Sequence, residues 1–431
     1  MRRWDLSQRL TALVIAFIVS VGALLMLRMQ EPDIKAALLI VALATSTLVC
    51  ALALPRWGLV DPFLVTLMNF LCSLGVLFQY SLNQTMGGLS HAWFYLAGML
   101  ALLVASFVIR LTHSFKRYRL ALFIGAIALL GVTLTHPVFR YNGSSSWIPL
   151  RRSSEGVMLM SIQPSEFVKL ILIVLLADIL SDQTIGRAKR LLMSVCISIA
   201  FVGLICLQND FGTALLYFLT ALCLIYIGLS DIRILISGCA AGVGAALVIY
   251  RISTTVQDRV RVLIDPFKEA ADKGFQLVQS LIAIANGGTT GMGLGLGRAG
   301  TIPLYDTDFV FSAICEQFGI VFGLCVMFIY VLMFMRGMRM AARATRRFHA
   351  LLAAGCSSML AVQTFVIIGG VIKMIPLTGV TLPFLSLGGS SMISCMAQIG
   401  ILCGVHACVE RDFARSRRAV EPIALREGLS V

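Results

Sequence analysis

Charge is scarce in this sequence. Only 13% of its 431 residues are acidic or basic, while 58% are hydrophobic. An ordinary soluble domain carries roughly a quarter charged residues, so water is excluded as the main solvent of this chain. Paired cysteines are missing as well. The twelve cysteines all fall inside apolar runs and none forms a Cys-x-x-Cys pair. That argues against a disulfide framework or a zinc site, and they read as small apolar core residues. The glycine-rich stretch GGTTGMGLGLG at 287–297 lies between apolar spans, with no βαβ context. A dinucleotide fold is thereby excluded, and the glycines are expected to allow tight turns or close backbone packing. The first apolar run has the length of a full span and no small-residue cleavage site, so it is not expected to be a cleaved signal.

What the sequence has is long apolar runs. They lie at about 9–28, 36–54, 58–79, 92–110, 119–137, 164–181, 190–207, 211–229, 231–250, 307–336, 349–372 and 386–408. Each approaches the roughly 20 residues that cross a bilayer. The expected fold class is all-α: a polytopic transmembrane bundle of about twelve spans. The net charge of +14 reflects lysine and arginine collected in alternate loops, not a nucleic-acid partner. The N-terminus, Arg56, 110–119, 187–190, Arg233, 336–347 and the tail hold most of them. This bias places both termini in the cytoplasm. The chain divides into two extra N-terminal helices (1–57), a membrane core (58–408) and a basic tail (409–431). Two long outer loops, 138–163 and 251–306, interrupt the core. In the second, Phe275 to Ala285 is apolar enough to fold back onto the membrane domain as a partly re-entrant segment.

Charges within spans are costly and mark candidate sites. Glu166 and Lys169 are one turn apart, which suits either a structural ion pair or a cavity that neutralises an anionic headgroup. Asp210 opens a span, as a cap or as a functional carboxylate. The outer loop holds Arg259, Arg261, Asp265, Lys268, Glu269, Asp272 and Lys273. This mixture is either a solvated surface or a general base beside a phosphate-binding patch. Asp306 and Asp308 begin the next span, with Glu316 further in. The proline- and glycine-rich stretch from Ile375 to Ser391 is expected to be broken backbone lining a cavity.

These clusters resemble, in order and spacing, the motifs of the SEDS family (RodA/FtsW/SpoVE-like peptidoglycan glycosyltransferases). Gln163-Pro164-Ser165-Glu166 with Lys169 matches QPSE-x-x-K. Residues 208–214 resemble QPDLGTA, and 274–284 resemble GYQ-x-x-QSLIAI. Thr307-Asp308-Phe309 with Glu316 and Gly319 resembles HTDFIF…E-x-x-G. PLTGVTLPFLSLGGSS at 376–391 is a near match to the signature segment. The resemblance spans about 140–408.

It implies polymerisation of lipid II at the outer face of a bacterial cytoplasmic membrane, with a class B penicillin-binding protein as partner. A sugar hydroxyl attacks the anomeric carbon of a second lipid-linked disaccharide, and undecaprenyl pyrophosphate leaves. The family's loop aspartate, five residues before the glycine of GYQ, corresponds to Glu269, with Asp265 as the second candidate base. Substrate contacts are expected from Lys169, Glu166, Trp147, Arg259, Arg261, Gln276, Gln279, Ser280, Asp308, Glu316, Ser390 and Ser391. No protein metal site is expected, although a carboxylate cluster could hold Mg²⁺ or Mn²⁺ as a cofactor. The chain departs from the family pattern at Glu269, at Ser146 in place of arginine, and at Asp306 in place of histidine. Two other classes stay open: a lipid-linked precursor flippase or other carrier, and a non-catalytic scaffold for a penicillin-binding protein.

Overall fold

The computed structural model of the chain describes residues 6–28, 34–56, 58, 60–82, 87–112, 114–135, 146–152, 158–270 and 272–427. The described residues include fifteen α-helices, two short 3-10 helices and one antiparallel strand pair. In order they are α1 (Leu6–Arg28), α2 (Ile34–Arg56), α3 (Pro62–Leu82), α4 (Gly87–Leu111), α5 (Arg119–Thr135), β1 (Ile148–Arg152) and β2 (Met158–Ile162). There follow α6 (Pro164–Ser181), α7 (Arg187–Leu207), α8 (Phe211–Leu229), α9 (Ile232–Ile252), α10 (Thr254–Ile264) and α11 (Phe275–Gly287). The last four are α12 (Val310–Phe318), α13 (Ile320–Arg343), α14 (Arg347–Val371) and α15 (Gly389–Glu427).

Eleven of these helices are long and apolar enough to span a bilayer. α6 is the twelfth expected span. It falls outside that set because Glu166, Lys169 and Asp178 lie within it. The apolar stretches of α3, α14 and α15 are 89%, 83% and 78% buried, while that of α9 is 0% buried. Thus α3, α14 and α15, with α6 and α8, form the interior, and α9 turns its apolar side chains to lipid. Burial of an apolar side chain gains little against lipid, so close backbone approach matters more. α4 and α15 show it: a side chain at Gly400 would strike the Leu102 carbonyl of α4. α1 and α2 pack beside α3.

Two helix boundaries are set by local chemistry. Ser230 takes a left-handed conformation that ends α8, and Asp231 caps α9 through the Arg233 amide, which separates runs that are nearly continuous in sequence. At the other end of α9, Ser253 caps α10 through the Val256 amide.

Three expectations are corrected or refined. The apolar run at 307–336 is not one helix. It breaks at Gly319, where φ is +85°, into the short α12 and the spanning α13. The outer loop at 138–163 is not purely irregular: antiparallel β1 and β2 pair Ile148 with Ile162. Its residues 138–145 and 153–157 lie outside the described residues. Finally, α15 runs unbroken past 408 to Glu427, so no backbone boundary marks the tail.

Candidate active site

The signature segment 376–388, between α14 and α15, is the hub of a polar network. Its carbonyls accept from side chains on the surrounding helices. Gln363 Nε2 of α14 donates to Thr381 O at 2.9 Å, and Tyr330 of α13 donates to Pro383 O at 2.5 Å. The Ser386 hydroxyl reaches the Thr307 carbonyl at 2.6 Å, and the Leu387 amide donates to Asp306 O at 2.8 Å. This backbone is irregular and internal, which is tolerated because other protein groups satisfy it.

Below the hub lies the first charged pair. Lys169 Nζ donates to Glu166 Oε2 at 2.6 Å, to Gln363 Oε1 at 3.1 Å and to Cys395 Sγ at 3.5 Å. Ser394 adds a donor to the same Glu166 oxygen at 2.7 Å. Lysine has three donors, and all three are used. Lys169 is 2% exposed. The pair is therefore built into the interior wall.

Above it, Asp210 caps α8. It accepts from the Thr213 amide at 3.1 Å and hydroxyl at 2.9 Å, and from Gln163 Nε2 at 3.2 Å. Gln163 in turn donates its amide to Ser390 Oγ at 3.0 Å, and Ser391 Oγ accepts from Thr381 at 2.7 Å. Gly212 sits against the Thr378 carbonyl, so α8 starts in backbone contact with the signature segment.

Arg259 completes the centre. It reaches from α10 of the outer loop to the Thr378 carbonyl, Nη1 to O 3.3 Å, and interacts electrostatically with both Asp210 and Asp308. Burial pulls the Arg259 pKa down, and the two carboxylates oppose that shift. Burial raises Asp210, against its Thr213 hydrogen bonds. Burial also pushes the Asp308 carboxyl up to about 6, opposed by the Thr307 hydroxyl and by Arg259. A guanidinium has five N–H donors. Arg259 makes one hydrogen bond within the described residues, and the adjacent Thr378 hydroxyl is buried with no partner. The centre thus holds unused donors beside a cation, the arrangement that accepts an anionic oxygen.

The other candidate residues lie around this centre. Glu316 Oε1 accepts the Arg298 amide at 3.1 Å, while Oε2 is buried and unpartnered against Gly297. Ser280 of α11 bonds Ser312 of α12 at 2.6 Å, and Gln276 and Gln279 lie on the half-exposed face of α11. Trp147 is half-buried ahead of β1. Arg261 is exposed and pairs with Asp258 at 3.6 Å.

The candidate bases sit in the turn between α10 and α11. Asp265 pairs with Lys268 at 3.1 Å, and that hydrogen bond lowers its pKa. Glu269 is half-buried, and its carbonyl accepts the Asp272 and Gly274 amides at 3.0 and 2.9 Å. Among the described residues no hydrogen bond or ion pair joins either carboxylate to Arg259. Sequence reasoning did not single out Gln363, Ser394 or Thr378. Isolated polar residues within apolar helices and Pro/Gly loops were the available signal.

No group of three or more His, Cys, Asp or Glu among the described residues has the arrangement to hold a metal ion. Asp210 and Asp308 share the field of Arg259, and Asp210 already accepts three hydrogen bonds.

The sequence profile of the FtsW/RodA/SpoVE family, described as cell cycle proteins, matches residues 61–411. The chain belongs to this family. The matched region starts after α2, so α1 and α2 precede it. A probable peptidoglycan glycosyltransferase FtsW of Bacillus subtilis is 32% identical over 389 residues, covering 84% of this chain and 94% of the relative. A peptidoglycan glycosyltransferase RodA of Mycobacterium bovis is 32% identical over 315 residues. That match covers 70% of this chain and 65% of the relative's length, just under two thirds. A solved structure described as the structural coordination of polymerization and crosslinking by a peptidoglycan synthase complex superposes with a TM-score of 0.66 at 25% identity. It covers 81% of this chain and 98% of the other. The FtsW/RodA/SpoVE fold thus accounts for the membrane core described above.

Proposed function

We propose that this protein is a peptidoglycan glycosyltransferase that polymerises lipid II at the outer face of the bacterial cytoplasmic membrane. The observation that carries the reading is Arg259, a half-buried guanidinium with unused donors, facing Asp210 and Asp308 over the signature segment. The basic bias of alternate loops supports cytoplasmic termini, with this centre on the outer side.

In the reaction, a hydroxyl oxygen of one disaccharide forms a bond to the anomeric carbon of another. The bond from that carbon to the pyrophosphate oxygen breaks, and undecaprenyl pyrophosphate leaves with the electron pair. Glu269 takes the hydroxyl proton. It is favoured over Asp265 because the Lys268 ion pair lowers the proton affinity of Asp265, and a general base needs that affinity. Arg259 and the Thr378 hydroxyl stabilise charge developing on the leaving pyrophosphate. Asp210 and Asp308 hold the guanidinium in place. A class B penicillin-binding protein receives the glycan strand for crosslinking.

The test is polymerisation of lipid II by the purified protein in proteoliposomes with its cognate penicillin-binding protein. Wild type should make glycan strands, and Arg259→Lys should lose at least about tenfold in rate, because an ammonium lacks the planar fork. Strands made equally well by Glu269→Gln and Arg259→Lys would overturn the proposed roles. Wild type making none would overturn the activity in favour of a carrier or scaffold.

A further inference from the structure

A second cationic centre lies at the opposite, basic end of the bundle. A small, partly open cleft of about 20 Å³ is lined by Arg346, His349, Cys408, Arg411, Asp412 and Arg415. Arg346 precedes α14, His349 lies buried in its first turn, and the rest belong to α15. α4 closes one side: Arg411 Nη2 donates to the Arg110 carbonyl at 3.5 Å. Arg110, Arg346 and Arg411 all lie within electrostatic range of Cys408. The one acid in the lining, Asp412, accepts the Thr345 hydroxyl at 2.5 Å. Glu410 is exposed nearby on α15. No ion pair between described residues involves Arg110, Arg346, Arg411 or Arg415.

Three guanidinium groups lining one cleft, with Arg110 within electrostatic range and so little local acid, call for an anion. The depth of the cleft says which kind. It lies where α4 ends, α14 begins and α15 leaves its apolar stretch, the level of the headgroups. A headgroup phosphate is held at that level by its own lipid, whereas a soluble anion is not.

We infer that this cleft binds the phosphate of an anionic phospholipid. Basic pockets between spans on the cytoplasmic side are suited to such headgroups. The site stands apart from the glycosyl-transfer reading and survives or fails without it.

The test uses the delipidated full-length protein and native mass spectrometry, titrating phosphatidylglycerol against phosphatidylcholine. The expected result is at least tenfold tighter retention of phosphatidylglycerol. Arg346→Gln with Arg411→Gln and Arg415→Gln should lose that preference, while the control Arg117→Gln with Lys189→Gln should keep it. Equal retention of both lipids by wild type, or equal loss in the control, would overturn the site. Displacement of phosphatidylglycerol by millimolar inorganic phosphate would replace the lipid with a soluble anion and overturn the inference. Should the triple variant fail to fold, photoactivatable phosphatidylglycerol on wild type decides. Crosslinks on the peptides around 346–349 and 408–415 support the site, and crosslinks only elsewhere overturn it.

Discussion

Glu269 and Asp265 stand four positions apart in one turn, yet their surroundings give them different chemistry. The ammonium of Lys268 stabilises ionised Asp265 and lowers its basicity. Glu269→Gln is therefore expected to reduce lipid II polymerisation at least about a hundredfold, as loss of a general base does. Asp265→Asn should stay within about threefold on the same Brønsted reasoning. Strand synthesis in proteoliposomes measures both, and the reverse order would transfer the role to Asp265.

Asp308 gives a pH signature. Its folded pKa is about 6, above the ordinary carboxylate value of 3.8. The folded chain therefore binds a proton at a pH where the unfolded chain does not, and stability rises as pH falls from 6 towards 4. The unfolding temperature in detergent, compared at pH 7.5 and 5.0, should show this gain in wild type relative to Asp308→Asn. An identical response in both would refute it.

The Glu166–Lys169 pair makes a different prediction. Removing one partner leaves the other charge buried, at a cost of about 3–5 kcal/mol. Lys169→Met or Glu166→Gln should each destabilise strongly, and the double variant should lose less than the sum of the two. Additive losses would show that the two side chains are not coupled.

At the scale of elements, the outer loop is held to the bundle by the break between α12 and α13. The Met292 and Gly293 amides donate to the carbonyls of Glu316 and Gln317 at 2.9 and 3.0 Å, and the Ile320 amide donates to Gly288 O at 2.9 Å. Gly319 fits this junction because its φ of +85° and the nearby Thr289 carbonyl leave no place for a Cβ. Gly319→Ala should cost roughly 1–3 kcal/mol in strain. Gly131→Ala in α5, where a Cβ meets nothing within 4 Å, should be neutral or slightly stabilising. Unfolding temperatures of the two variants, side by side, give the answer. Equal shifts would remove the structural reason offered for this glycine.

At the scale of the whole molecule, charged residues divide the bundle into two ends. One carries Arg259 among carboxylates under the outer loops, the other the arginine cleft at the start of α14. With an even number of spans, a fluorescent protein fused after Val431 should glow in the cytoplasm. Alkaline phosphatase inserted at Lys268 should be active outside. Inactive phosphatase at Lys268 with a dark C-terminal fusion would invert the orientation.

The amino-acid sequence by itself determined the membrane class, the twelve apolar runs and the family motifs, because these depend on composition and on spacing along one chain. It also placed Glu166 and Lys169 on one helical face, a relation fixed by 3.6 residues per turn. The tertiary structure alone decided the partners that come from distant segments. Gln363 and Ser394 meet the Glu166–Lys169 pair across nearly two hundred residues or more. Arg259 finds Thr378 across 119 residues. The break at Gly319 was hidden for the same reason: the run on both sides of it is long and largely apolar, and the glycine's role comes from a carbonyl some thirty residues away. Hydropathy records what each segment needs from its solvent, whereas a polar network inside the bundle exists only once packing excludes both water and lipid.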